Sequence, residues 1–272
     1  MTKFHLTHWR DRGDLGGAPL SHSVSRPSPP FLAASGRLRV HQVPAAQDNL
    51  IWLLECLETG EVAAVDGPSV HETDAYCARE GLRLVAILNT HTHPDHIGIN
   101  RALKSKDRLD ELRVVGFRGR AEEIPGITDP VDEGDCVSVG AVTGRVLRTE
   151  GHIDGHISFF FDDVVFCGDT LFTGGCGYLF DGPPEAMFRS LLRLASLPGH
   201  VRVCCAHEYT QDNLRFAWSL EPGNEALAAR IRETWAVRES GGCVVPSTIA
   251  IERATNPFLR QDSAELRARV AA

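Results

Sequence analysis

The stretch "THTHPDH", residues 90–96, places three histidines and an aspartate within seven positions. It follows directly on "LRLVAILN" (82–89), an apolar run of strand length. Imidazoles and a carboxylate gathered at the end of such a strand are costly to bury unpaired, so the cluster needs a compensating partner. A metal ion suits this set of donors. On extended backbone residues i and i+2 face the same side, so His91 and His93 converge on one ion. Pro94 then turns the chain, and Asp95 and His96 face a second ion beside the first. Four donors are too few for two ions. More are offered by "TEGHIDGH" (149–156) with His152, "FCGDTLF" (166–172) with Asp169 and "CCAHEYT" (204–210) with His207, each at a strand end or a tight turn. A carboxylate such as Asp169 has two oxygens and can bridge two cations. The expectation is two divalent ions per chain, each with three protein ligands, around a shared water. Zinc leads, and iron and manganese accept the same donors. His156 is expected to support the site from behind, whereas His41, His71 and His200 read as ordinary polar or packed residues.

Outward from this cluster, "RLRVHQVP" (37–44), "NLIWLLEC" (49–56) and "EVAAVDG" (61–67) read as further strands. "SVHETDAYCAREG" (69–81) predicts a helix with Ser69 as N-cap and Gly81 closing it, and "NRALKSKDRLDELR" (100–113) a polar surface helix before the strand "VVGF". "HISFFFDDVVFCGDT" (156–170) reads as two strands joined around Asp162 and Asp163. Alternating strands and helices argue for an α/β layered domain. The last third changes character. Three helices are predicted there: from "PPEAMFRSLLRLASL" (183–197), from "NEALAARIRETWAVRES" (224–240), with Leu227, Ile231 and Trp235 on one face, and from "DSAELRARV" (262–270), opened by Asp262 and Glu265 at capping-box spacing. The domains expected are a polar, flexible N-terminal extension over 1–35, a metal-binding domain over 36–207 and a helical substrate-binding domain over 208–272.

Composition limits the partners. The chain has 272 residues, 43% of them hydrophobic, and a formal net charge of −8, which disfavours nucleic acid and anionic membranes. Its apolar runs are far shorter than the roughly 20 residues of a membrane-spanning helix. Eight cysteines form no C-x-x-C pair, so free thiols in a reducing compartment are expected. A soluble, cytoplasmic monomer acting on a small molecule is the reading. His5, His8 and His22 of the extension are taken as solvent residues.

With "THTHPDH", His152, Asp169 and His207 in this order, the sequence resembles the metallo-β-lactamase fold superfamily. Through "GDTLFTGGCGYLFDG" (168–182), "HEYTQDNLRFA" (207–217) and "TNPFLR" (255–260) it resembles, more narrowly, the hydroxyacylglutathione hydrolases, or glyoxalase II enzymes. The resemblance implies a four-layer αββα sandwich with a C-terminal helical domain. It also implies His91, His93 and His152 around the first metal, Asp95, His96 and His207 around the second, and Asp169 between them, with Asp95 and Asp169 as catalytic groups. The reaction implied is hydrolysis of the thioester S-D-lactoylglutathione to D-lactate and glutathione by a metal-bridging hydroxide. For the substrate it implies the main chain around Gly177, the side chains of Tyr178 and Phe180, and the hydroxyl of Tyr209. Lys or Arg is common in the family where Tyr178 stands, and tyrosine occurs in place of Phe180. The segment "ELRARVAA" replaces a basic Arg-x-x-Lys sequence, with Arg267 and Arg269 as possible substitutes. Two other readings share the fold: a persulfide dioxygenase with one iron, and a thioesterase or lactonase for a substrate without glutathione.

Overall fold

Leu50, Trp52 and Leu54 alternate with Ile51 and Leu53 along β3 (Asn49–Cys56), and all five are buried. A strand buried on both faces has to lie between two layers. In the computed structural model, which describes residues 22–271, the even-numbered three meet Phe159, Phe161 and Phe166 of a second sheet. The odd-numbered two meet Tyr76, Cys77 and Leu103 of the helices α1 (His71–Glu80) and α2 (Gly98–Lys104).

The first sheet runs in chain order through β1 (Phe31–Leu32), β2 (Leu38–Ala45), β3, β4 (Glu61–Val65), β5 (Arg83–Leu88), β6 (Arg113–Phe117) and β7 (Asp129–Val131). Pairing is antiparallel up to β4 and parallel beyond it. In the second sheet β8 (Cys136–Val139), β9 (Val142–Arg148), β10 (Ile157–Phe161) and β11 (Val164–Gly168) form antiparallel hairpins, and β12 (Leu171–Phe172) with β13 (Gly175–Cys176) makes a separate small one. β14 (Arg202–Cys205) then adds parallel to β11, and β15 (Ser247–Thr248) closes the edge. The helix α3 (Pro184–Ala195) contributes Met187, Leu191 and Leu194 to the core of the second sheet. The order of layers is helix, sheet, sheet, helix, as expected of the αββα sandwich. Trp52 ties the two sheets at the functional end by donating from Nε1 to the carbonyl of Cys205 at 2.9 Å.

Beyond β14, α4 (Thr210–Leu220) and α5 (Glu225–Glu239) share a small core of Leu214, Ala217, Leu227, Ile231 and Trp235, and α6 (Ile249–Thr255) and α7 (Ala264–Val270) follow. Three local expectations are corrected. The N-cap of α1 is Val70, without a side-chain cap, because the Ser69 hydroxyl bonds the Glu72 carboxylate instead. The polar helix after residue 100 ends at Lys104, where the chain turns through Asp107 at φ 54°. α7 is capped by Ser263 accepting from Leu266 N, while Glu265 reaches Gly223 N at 3.0 Å in place of a capping box with Asp262. Gly81 closes α1 in the left-handed conformation, as its position predicts.

His5 and His8 lie outside the described residues. Residues 22–35, counted with the flexible extension from composition, are seated against the body. β1 pairs with β2. Arg26 N donates to Gly241 O at 2.9 Å, Ser28 Oγ to Val245 O at 2.8 Å, and Arg238 to Ser23 O at 2.8 Å. His22 is no plain solvent residue. Its Nδ1 meets Glu208 O at 3.0 Å, and its Nε2 lies 3.1 Å from the Asp212 carboxylate. The eight cysteines are all free.

Candidate metal centre

Parallel pairing of β11 and β14 sets Gly168 opposite Cys205, so the residues just after each strand, Asp169 and His207, emerge at one edge. The segment after β5 joins the same edge, held by Ile157 N donating to Thr90 O at 2.9 Å. His152 arrives from the loop that follows β9. All seven residues singled out from the sequence meet here. They fall into two groups, His91, His93, His152 and Asp169, and Asp95, His96 and His207, with one ligand atom from each residue lying within 4.8 Å of the others in its group.

The donor atoms point inward because other atoms hold the rings from behind. Thr90 Oγ1 donates to Asp66 at 2.7 Å and so receives His91 Nδ1 at 3.0 Å. The carbonyl of Tyr178 receives His152 Nδ1 at 2.7 Å, and Asp48 Oδ1 receives His207 Nδ1 at 2.8 Å. His96 Nδ1 sits 3.0 Å from Asp66 Oδ2. For His91, His152 and His207 an Nδ1–H engaged in this way fixes the tautomer and leaves the Nε2 lone pair for a metal, whereas His96 Nδ1 has only the charge of Asp66 beside it. His93 is the exception and presents Nδ1, 3.0 Å from both His91 Nε2 and His152 Nε2. One nitrogen cannot donate a proton to both, so this convergence suits a cation.

Asp169 divides its two oxygens. Oδ2 lies 3.4 Å from His152 Nε2, and Oδ1 lies 3.5 Å from both His96 Nε2 and His207 Nε2. Asp95 Oδ2 stands 3.5 Å from His96 Nε2 and 3.4 Å from His207 Nε2. Among the described residues, His96 Nε2 and Asp169 Oδ1 are buried without a hydrogen-bond partner. Orphaned polar atoms at the focus of a donor set are what a divalent ion satisfies, so the residues fit a metal.

The electrostatics agree. Burial drives the His91 imidazole well below its usual pKa, and neighbouring His96 adds to the effect, so His91 is neutral and ready to ligate. Burial works against the Asp169 carboxylate, yet His96 and His207 hold it well below the usual carboxylate range. Burial also disfavours a charge on His96, but Asp169 and Asp66 outweigh it and hold that imidazole up at about 10. His207 is raised in the same way, chiefly by Asp169. Without metal, this carboxylate-rich pocket keeps protons on His96 and His207.

His156 lies fully buried behind the centre, accepting Asp169 N at 3.2 Å and stacking on His91 at 4.8 Å. Four supports went unnoticed in the sequence: Asp48, Asn49, Asp66 and Thr90. Asp66 carried a signal, a carboxylate directly after the apolar run of β4, and Asp48-Asn49 carried a weaker one, a polar tip between two apolar strands.

At the mouth, Gly177 allows a close approach. A Cβ there would fall 1.9 Å from Asp169 O and 2.9 Å from His152 Nδ1, so a side chain would displace the centre. Tyr178 and Phe180 are 74% and 60% exposed and lie 5.0 Å apart, and Phe180 turns its edge to His93 and His152 at 5.1 and 5.2 Å. The Tyr209 ring lies flat on His207 at 4.8 Å, with its hydroxyl 3.3 Å from Asp48. Arg267 is engaged by Asp262 at 2.8 Å on an exposed helix face.

Histidine and carboxylate donors gathered at the strand ends of an αββα sandwich define a metal-dependent hydrolase of the metallo-β-lactamase class. Residues 67–207 match the metallo-β-lactamase superfamily. The B3 metallo-β-lactamase BLEG-1 shares the fold at a TM-score of 0.60, with 20% identity over 81% of this chain and 99% of that one. A protein solved in a di-iron-bound form is 27% identical at a TM-score of 0.54, over 81% and 99%. Residues 208–272 match the hydroxyacylglutathione hydrolase C-terminus. The hydroxyacylglutathione hydrolase of Methylococcus capsulatus is 46% identical over 239 residues, 86% of this chain and 91% of that protein. The chain belongs to the hydroxyacylglutathione hydrolase family. That membership favours the hydrolase over the single-iron dioxygenase reading. No helix among the described residues is long and apolar enough to cross a membrane.

Proposed function

We propose that the protein hydrolyses S-D-lactoylglutathione to D-lactate and glutathione at a centre of two divalent ions, zinc first among the candidates. In this reading His91, His93 and His152 would hold one ion and Asp95, His96 and His207 the other, with Asp169 available to both. The observation that carries it is the division of Asp169, with Oδ2 toward His152 and Oδ1 toward His96 and His207. Bound ions of this kind polarise a carbonyl and lower the pKa of water from about 15.7 towards 7.

The chain's own groups do the rest. Asp95, held by Asn49 Nδ2 at 3.0 Å, presents Oδ2 between His96 and His207 and orients the attacking water. Phe180 and Tyr178 wall the mouth and exclude bulk water from the thioester. Tyr209, the main chain at Gly177 and the helices of 208–272 receive the glutathione moiety, while 36–207 carries the metals. A thiolate leaves without strong acid assistance, because a free thiol has a pKa of about 8.5. No cysteine nucleophile is needed, and burial pushes the nearby Cys176 thiol up to about 12, which keeps it protonated.

The test follows loss of the S-D-lactoylglutathione thioester by the purified protein, with metal content determined on the same sample. Rapid turnover with about two ions per chain is expected of a two-metal site. Two bound ions without turnover would reject glutathione as the thiol moiety, and one iron with oxygen consumption would reject the hydrolase reading.

A further inference from the structure

The tip of the β2–β3 hairpin is laced to the strand end that carries His207. Leu50 N donates to Ala206 O at 2.7 Å, Glu208 N donates to Asp48 O at 3.0 Å, and Asn49 pairs with His207 as an antiparallel bridge. The main chain on both sides of His207 is therefore bound to the hairpin. Two side chains of that tip then reach the second donor group. Asp48 Oδ1 receives His207 Nδ1 at 2.8 Å, which leaves Nε2 as the atom aimed at Asp95 and Asp169. Asn49 is buried and donates from Nδ2 to Asp95 Oδ2 at 3.0 Å, the same oxygen that faces His96 and His207. Asp95 is the most exposed of the carboxylates here, at 39%, so this bond restrains a side chain otherwise free to swing outward. The hydrogen bonds of His91, His93 and His152 run instead to Thr90, to one another and to the Tyr178 carbonyl.

We infer that Asp48 and Asn49 are positioning residues for the second metal group alone, so that a surface hairpin tip sets the affinity of one ion without touching the other. The inference rests on the two-ion reading above. A carboxylate behind a ligating imidazole fixes its tautomer and plane and raises its basicity, and loss of such a partner costs about 10–100-fold in metal affinity.

The full chain and its variants Asp48→Ala, Asp48→Asn and Asn49→Ala would be stripped with a chelator and titrated with Zn²⁺ by calorimetry against a competing chelator. Co²⁺ absorption would follow the same two sites. The second equivalent should bind about 10–100-fold more weakly in Asp48→Ala, with the first unchanged. Asp48→Asn should be milder, since its amide oxygen still accepts the Nδ1–H, and it keeps the test open should the alanine variant fold poorly. Two equivalents bound with unaltered affinities in all three variants would overturn the inference. Equal weakening of both equivalents would do the same, as the mark of a general structural role. A single equivalent in the unaltered protein would remove the two-ion reading, and the inference with it.

Discussion

Replacing Asp169 by asparagine removes one charge and keeps the shape. The carboxylate has one oxygen 3.4 Å from His152 Nε2 and the other 3.5 Å from His96 and His207. A unit charge at about 3.5 Å in an effective dielectric of about 20 is worth roughly 5 kcal/mol. If the amide retains half of this, about 2.5 kcal/mol is lost per ion, equivalent to about 70-fold in affinity at 1.36 kcal/mol per decade. The losses are unequal, because the amide turns its oxygen to one group and its NH₂ to the other, and the NH₂ repels a cation. Asp169→Asn is therefore expected to retain about one ion after dialysis, with kcat/KM for thioester hydrolysis down by at least about 100-fold. Metal analysis and thioester loss on one preparation make the check. Two retained ions with undiminished turnover would refute the bridging role.

Three further outcomes follow from the geometry. Gly177→Ala forces a Cβ to within 1.9 Å of Asp169 O, so it should lower metal content together with kcat and cost about 1–3 kcal/mol in urea unfolding. Trp52→Phe leaves the buried Cys205 carbonyl without its 2.9 Å donor and should cost about 1–3 kcal/mol, read as a lower denaturation midpoint with an unchanged slope. His96 is protonated at pH 7 in the metal-free protein, since Asp169 and Asp66 overcome burial and hold it at about 10. Metal uptake must displace that proton, so apparent affinity should rise about tenfold per pH unit for His96 alone from 7 until the pH reaches about 10. Calorimetry in buffers of different ionisation enthalpy would count the protons released, and a release of none would contradict the assignment.

The metal centre was legible because its chemistry is local. Three of its histidines and Asp95 share one short string, and His152, Asp169 and His207 each stand at a strand end or a tight turn. Its supports were not, because they are made by topology. Asp48 meets His207 across 159 positions and Asn49 meets Asp95 across 46, and nothing in the composition of a hairpin tip foretells either contact. The caps failed for a different reason. Ser69 and Asp262 are sound cap residues by type, but a carboxylate and a guanidinium nearby, those of Glu72 and Arg267, offered their side chains other partners. The polar side chains of 22–35 suggest a free extension, whereas pairing with β2 and hydrogen bonds from Arg26 N and the Ser28 hydroxyl to carbonyls over 200 positions away seat it.

That seating has a consequence for the birth of the protein. Ser23 and Ser28 leave the ribosome well before their partners Arg238 and Val245, which follow 215 and 217 positions later. At about 5–20 residues per second the interval is roughly 10–45 s. Through all of it the strand β1 has its neighbour β2 and Ser28 N has Gln42 Oε1, but the Ser23 carbonyl and the Ser28 hydroxyl still lack the partners they hold in the folded protein. A flexible loop of this length would cost about 5 kcal/mol to close. Prior folding of the sandwich and the helices brings the two ends together and removes most of that cost. The clasp thus settles only after the strands and helices between its two halves have been made.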